Sequence, residues 1–305
     1  MRCIICGNEE ESSKEHIIPE AMGNKKFITN KVCSRCNNKL GANVDNYLTD
    51  YILVKMIRKS LNLLGKTEKS IKIFPSFLKD ITGQKFLFKD DIPSIVPEVE
   101  FEDGILKIKA QTIEEAIEKG KKKLERTGLS EEEIKNILST YSLQEVEKSK
   151  PSFRIPADIH MGRFLLAGIK IAYEFACETL DDSYFDDSIA KLFRAQLYKA
   201  ITVNKKDVAG CIDFNKLKKY ASPIKEQSVE LINGIKDKVN LLKPPARHIC
   251  LLHDSADNKL ICEVVLLFSD IISFTVMLSE DSKKYNMKNE CKVAVVLEDG
   301  SALIV

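Results

Sequence analysis

Four of the nine cysteines stand in one pattern, Cys3-Ile-Ile-Cys6 and Cys33-Ser-Arg-Cys36, with twenty-six residues between the pairs. Each pair suits a tight turn that presents two thiolates at one corner. Two such corners complete the tetrahedral sulfur site that Zn2+ accepts in closed, structural positions. A disulfide pairing, an iron–sulfur cluster and a redox Cys-x-x-Cys are the competing readings. An odd number of cysteines behind no export signal disfavours the first, and the lack of a βαβ pattern around either pair disfavours the last. A polar segment of about forty residues buries too little apolar surface to fold alone, so structural zinc is expected to fold it.

Between the pairs lies Glu15-His16-Ile17-Ile18-Pro19, and Asn37 directly follows the last cysteine. A carboxylate and an amide oxygen are hard ligands suited to Mg2+ or Mn2+, and a neutral imidazole can take a proton from water near neutral pH. If zinc clamps strand and helix together, Glu15, His16 and Asn37 can converge on one cleft. Water, base and divalent ion together describe metal-assisted phosphodiester hydrolysis. Lys25, Lys26, Lys31, Arg35 and Lys39 surround that cleft in sequence and could hold phosphates by charge. The plainer roles are a solvated Glu15, a packed His16, asparagines that line the first helical turn, and lysines that face only water.

At these residues the chain resembles the zinc-containing type of the HNH endonuclease family. There, Cys-x-x-Cys pairs bracket an Asp/Glu-His-Ile-x-Pro segment and a Cys-x-x-Cys-His/Asn helix start. The resemblance covers residues 3–48, about a sixth of the chain. It implies a ββα-metal, treble-clef-like fold and hydrolysis of nucleic acid with one divalent ion. It implies His16 as general base, Glu15 as one metal ligand and Asn37 as the second. Asn30 is the nearest residue to the family's base-orienting asparagine, although it lies closer to the cysteine pair than the usual spacing. The run from Cys36-Asn37 to Gly41 and Asp45 is similar to a subgroup with the same later Gly and Asp. That makes Asp45 either a group behind the metal ligands or a residue of the helix surface.

Several elements must position these residues. Ser34 is the expected N-cap of an amphipathic helix that begins near Asn37 and runs to about Leu64, with apolar positions Val44, Tyr47, Leu48, Tyr51 and Ile52. Residues 66–110 hold short runs (SIKIF, KFLF, PEVEF, ILKIKA) that read as strands and turns. Thr112–Glu115 and Ser130–Glu133 are capping-box patterns that start two helices. Phe164–Leu180 is apolar on most sides except Lys170, Glu174 and Glu178, which suits a central helix, and Ser188–Ile201 is a second. Residues 204–245 read as connecting helices. From Ala246 onward the pattern is strand after strand. His248, Cys250 and Leu252 share one strand face, where buried structural roles outweigh a second metal site.

The formal net charge of +2 excludes a histone-like polycation but leaves room for a local basic groove. Leu260–Leu278 carries Glu263 and Asp270 and reads as two adjacent strands, not a membrane span, and the protein is expected to be cytoplasmic. No dinucleotide loop, P-loop or nucleophile elbow appears. The expected fold class is α+β: an N-terminal zinc-bound module over residues 1–52, then residues 53–305 for recognition, oligomerisation (a homodimer among the forms) or sensing. That region is expected to be strand-rich over 66–110, helical over 112–243 and β-rich over 246–305. The expected function is a Mg2+- or Mn2+-dependent endonuclease acting on DNA, in anti-phage defence or a mobile element. The alternative is a non-catalytic zinc module that binds nucleic acid or protein, and a phosphodiesterase on small nucleotides is the third reading.

Overall fold

The computed structural model describes residues 1–65, 70–140, 142, 150–155, 159–224, 234, 244–287 and 290–304. Two compact units emerge, one of residues 1–71 with 157–305 and one of residues 72–156.

The first unit opens with β1 (Ser12–His16) and β2 (Ile28–Cys33), an antiparallel pair whose register shifts between Ser13 and Glu15, followed by α1 (Ser34–Leu40). This is the expected ββα arrangement. Cys33, not Ser34, takes the N-cap, in extended conformation and without a side-chain cap bond. The helix must begin there to keep the Cys33 thiol beside the other three. A π-helical turn over Gly41–Asp45 then leads into α2 (Asn46–Thr49). Its wider turn aims Asn43 across the core, where the side chain donates to the carbonyls of Ala200 (2.9 Å) and Val203 (3.0 Å).

The unbroken helix expected to Leu64 ends at Thr49 and restarts as α3 (Ile52–Ser60). Arg58 supplies the reason. Its buried guanidinium donates to the Thr49 carbonyl that the break leaves without a helical partner (3.2 Å), and also to the carbonyls of Ala21 (2.7 Å) and Leu63 (3.3 Å).

The second unit contains the meander β3 (Phe77–Lys79), β4 (Lys85–Lys89) and β5 (Ile92–Ile95), the hairpin β6 (Glu98–Glu102) and β7 (Ile105–Lys109), and helices α4 (Ile113–Glu125) and α5 (Glu131–Ser139). SIKIF is not a strand; instead, Asp91 accepts from the amides of Ile73 and Phe74 (each 3.1 Å). Both helices start where the capping patterns place them. Ser130 and Glu133 form a reciprocal capping box, whereas Glu115 reaches back to the amide of Gln111.

The first unit resumes with α6 (Met161–Thr179), buried along most of its length, and α7 (Ser188–Thr202). Strands β8 (Ala221–Pro223), β9 (Ala246–Asp254), β10 (Leu260–Leu266), β11 (Phe274–Ser279), β12 (Cys291–Leu297) and β13 (Ala302–Ile304) form an antiparallel sheet in the order β13-β12-β9-β10-β11-β8. Leu260–Leu278 is thus two strands, and no described helix is long and apolar enough to cross a membrane. Of the connecting helices expected over 204–245, residues 225–233 and 235–243 lie outside the described residues.

One continuous core joins the N-terminal module, α6, α7 and one face of the sheet. Gly168 brings α6 against the sheet: a Cβ there would stand 2.5 Å from the Phe274 ring. His248 ties the sheet to the zinc loop. Its ring Nε2 donates to the Met22 carbonyl (2.9 Å) and its Nδ1 accepts from the Leu267 amide (3.2 Å), an arrangement open only to the neutral imidazole. Burial, with a smaller push from Arg247, outweighs the Met22 bond and holds its pKa down to about 4. The stability from a depressed histidine is full above its unfolded value of about 6.5 and is lost as pH falls through 6.5 toward 4. Urea unfolding between pH 7.5 and 4.5 should therefore show wild type losing roughly 3 kcal/mol more than His248→Gln. Parallel curves for the two proteins would remove His248 as the cause.

Candidate active site

The two cysteine corners are built locally. Gly7, at φ +76°, closes the first turn with its amide on the Cys3 carbonyl (2.9 Å), and the Cys3 amide reaches Asn8 (2.9 Å). The Cys33 amide donates to Cys3 Sγ (3.4 Å), which brings the second corner to the first. All four Sγ atoms of Cys3, Cys6, Cys33 and Cys36 lie within 4.8 Å of one another, and all nine cysteines are free thiols. A Zn–S distance of about 2.3 Å sets the thiolates of a tetrahedral site about 3.8 Å apart, so this group suits a structural zinc ion with only slight contraction.

The zinc corner holds α1 across β1. Asn37 uses its amide nitrogen to bind Ser13 Oγ (3.1 Å) and the Lys14 carbonyl (2.9 Å), leaving its side-chain oxygen without a hydrogen-bond donor among the described residues. His16, at the end of β1, is half-buried. Asn30 is exposed on β2. Asn24, fully buried, organises the loop after His16: it donates to the carbonyls of Ile18 (2.6 Å) and Phe27 (2.8 Å) and accepts from the Phe27 amide (2.8 Å). Lys25, Lys26, Arg35 and Lys39 are exposed. Lys31 is taken up internally, its ammonium donating to the Cys177 carbonyl at 2.7 Å.

Glu15 points the other way, into the core, with only 2% of its surface exposed. Its Oε1 lies 2.5 Å from the ammonium of Lys170, which α6 inserts beneath β1. Four more oxygens surround that ammonium: the carbonyls of His16 (2.7 Å) and Ile17 (3.3 Å), Asp45 (3.4 Å) from the π-helical turn, and Glu174 (3.1 Å) one turn along α6. Lys170 and Glu174 are therefore not the solvated positions of α6; both are fully buried. The sequence carried a signal for this pair, since opposite charges four residues apart on a helix apolar all round have no water to face.

Three ionised carboxylates against one ammonium would leave two surplus negative charges in a dry core. Burial works against that surplus. Burial pushes the Glu174 carboxyl well above its ordinary range despite the ammonium 3.1 Å from it. Burial likewise lifts Asp45 to about 7, against the pull of Lys170. The ammonium stays charged: burial works against it, but Asp45, Glu15 and Glu174 together hold it above the ordinary lysine range.

These features set two expectations. Lys170→Met leaves Glu15 buried without its cation and should cost about 3–5 kcal/mol in urea unfolding, whereas Glu174→Gln, which copies a protonated carboxyl, should cost less than about 1 kcal/mol. Equal losses would mean that Glu174 is ionised. Cys33→Ser should abolish zinc in elemental analysis and remove hydrogen-exchange protection from β1, β2 and α1. Retained zinc would exclude Cys33 as a ligand.

No curated protein and no solved structure matches the chain. The segment that holds both cysteine corners, His16, Asn37 and Asp45 does find a counterpart: residues 3–53 match the family model described as HNH endonuclease.

Proposed function

We propose that the protein is a divalent-metal-dependent endonuclease that hydrolyses phosphodiester bonds of DNA, acting in the cytoplasm in anti-phage defence or a mobile element. The observation that supports this reading is that Asn37, on the helix of the four-cysteine frame, donates to Ser13 and Lys14 of β1, the strand that ends in His16. The donor set fits a hard ion. Asn37 keeps a free side-chain oxygen, and Lys170 meets Oε1 of Glu15, so Oε2 remains as the oxygen for a metal. When bound there, Mg2+ or Mn2+ supplies charge stabilisation for the scissile phosphate.

The chain's own residues do the rest. His16 takes the proton from the attacking water, which adds to phosphorus as the bond to the leaving oxygen breaks. Lys170 is a positioning residue that fixes the Glu15 carboxylate. The cations Lys25, Lys26, Arg35 and Lys39 are exposed and would meet backbone phosphates.

One observation favours a second reading, a zinc module that binds without cutting: Glu15 is almost wholly enclosed and already neutralised by Lys170. A supercoiled-plasmid assay with Mg2+ or Mn2+ separates the two. Wild type should nick or linearise the plasmid, and His16→Ala should slow this at least ~100-fold while keeping its zinc and its unfolding midpoint. Cleavage at equal rates would discard His16 as the base, and intact plasmid with zinc-loaded wild type would support the binding module.

A further inference from the structure

The meander β3-β4-β5 turns one face inward and one to solvent. Phe74, Phe86, Phe88 and Phe153 pack on the inner side, with ring centres 5.0–5.2 Å apart. The register places Phe77 beside Leu87 and Ser94, Lys79 beside Lys85, and Lys89 beside Ile92 on the outer side. Phe77 is 52% exposed, Leu87 38% and Ile92 70%. The Lys85 ammonium lies 4.8 Å from the centre of the Phe77 ring.

The charge on this face is arranged against folding stability. Lys79 and Lys85 are like charges directly opposite each other, which destabilises a strand pair. No carboxylate among the described residues pairs with Lys79, Lys85 or Lys89. The nearest turns do not supply one: Asp80 accepts from the amides of Thr82 (2.9 Å) and Gln84 (3.0 Å), and Asp91 from those of Ile73 and Phe74. The neighbouring hairpin behaves in the opposite way. There Glu98 faces Lys109 and Glu100 faces Lys107, and on α4 Lys122 meets Glu118 at 2.6 Å.

We infer that the outer face of β3-β4-β5 binds single-stranded nucleic acid, with Lys79, Lys85 and Lys89 on phosphates and Phe77, Leu87 and Ile92 against bases. The lysines call for an anionic partner, and the apolar side chains between them select among anions. A duplex offers this surface phosphates alone and leaves Phe77 and Ile92 in water. A single strand offers phosphate and exposed base faces in alternation, the combination that basic, aromatic platforms use. The face lies outside residues 3–53 and goes beyond the nuclease reading; it does not require that the protein cleave anything.

The test is fluorescence anisotropy of a labelled oligothymidylate and of a duplex of equal length. It uses the full chain carrying His16→Ala, without added divalent ion, so that failure of cleavage and failure of binding stay distinct. The single strand should bind more tightly than the duplex. Adding Lys85→Glu and Lys89→Glu should weaken binding at least ~10-fold and reduce the salt slope by about 1.4, the value for two lost single-strand contacts. Phe77→Ser with Ile92→Ser should weaken the single strand but not the duplex. Lys107→Glu with Lys109→Glu, matched in net charge, should change affinity less than twofold, and circular dichroism melting confirms folding of each variant. Equal losses in the two lysine pairs, no loss in either, or unchanged binding by the Phe77/Ile92 variant would each overturn the assignment.

Discussion

A buried ammonium cannot be left without oxygens, and that constraint organises the first unit. Lys170 sits in the core with five oxygens within 3.4 Å, three of them from β1 and the residue after it. Removing α6 from beneath β1 would leave Glu15 enclosed without its counter-charge, at a cost of several kcal/mol. The four-cysteine corner holds β1, β2 and α1 together at one end, and Lys170 holds the end of β1 that carries His16. Neither restraint replaces the other. The thiolates fix the position of Asn37, and the ammonium fixes the direction of Glu15.

This arrangement also explains the π-helical turn. A regular α-helix through Gly41–Asp45 would rotate Asp45 away from α6, and the wider turn returns it to Lys170 while Asn43 bonds to the end of α7. Such turns cost hydrogen-bond geometry and persist where a side chain needs a particular direction. Asp45 is thus the rim of the charged cage: partly reachable from solvent, and lifted toward neutral pH by burial. Glu174 is wholly enclosed, and burial pushes its carboxyl well above the ordinary range against the pull of Lys170.

What the sequence discloses follows the range of the interactions. The cysteine corners, the ββα module, both capped helices of the second unit and the C-terminal strands are set by residues close in the chain, and their spacing is readable. Lys170 meets the His16 carbonyl across 154 positions and Asp45 across 125, so nothing local announces either contact. The break after Thr49 leaves a carbonyl that Arg58 satisfies from nine positions on, and helical periodicity runs straight through it. The motif spacing draws attention to Asn30, yet Asn24 holds the loop because its amide matches backbone groups that only the folded turn brings together. For the site, residue types were legible and directions were not: the motif marks Glu15, but nothing near it in the chain announces that its Oε1 lies against Lys170 of α6.

Burial divides the lysines by the work they can do. Lys31 donates to a carbonyl of its own chain, and Lys170 is fully buried among carbonyls and carboxylates, where bulk salt screens little and no phosphate can compete. Lys79, Lys85 and Lys89 are exposed, with no carboxylate partner among the described residues. A formal net charge of +2 gives the whole chain little long-range attraction for a polyanion, so any hold on nucleic acid has to come from local groups of this second kind. Contacts made by exposed lysines weaken as counterions compete, whereas the enclosed Lys170 cage does not. Attachment to substrate should therefore be salt-sensitive while the geometry around Glu15 and His16 stays constant, because the two depend on cations in different dielectric surroundings.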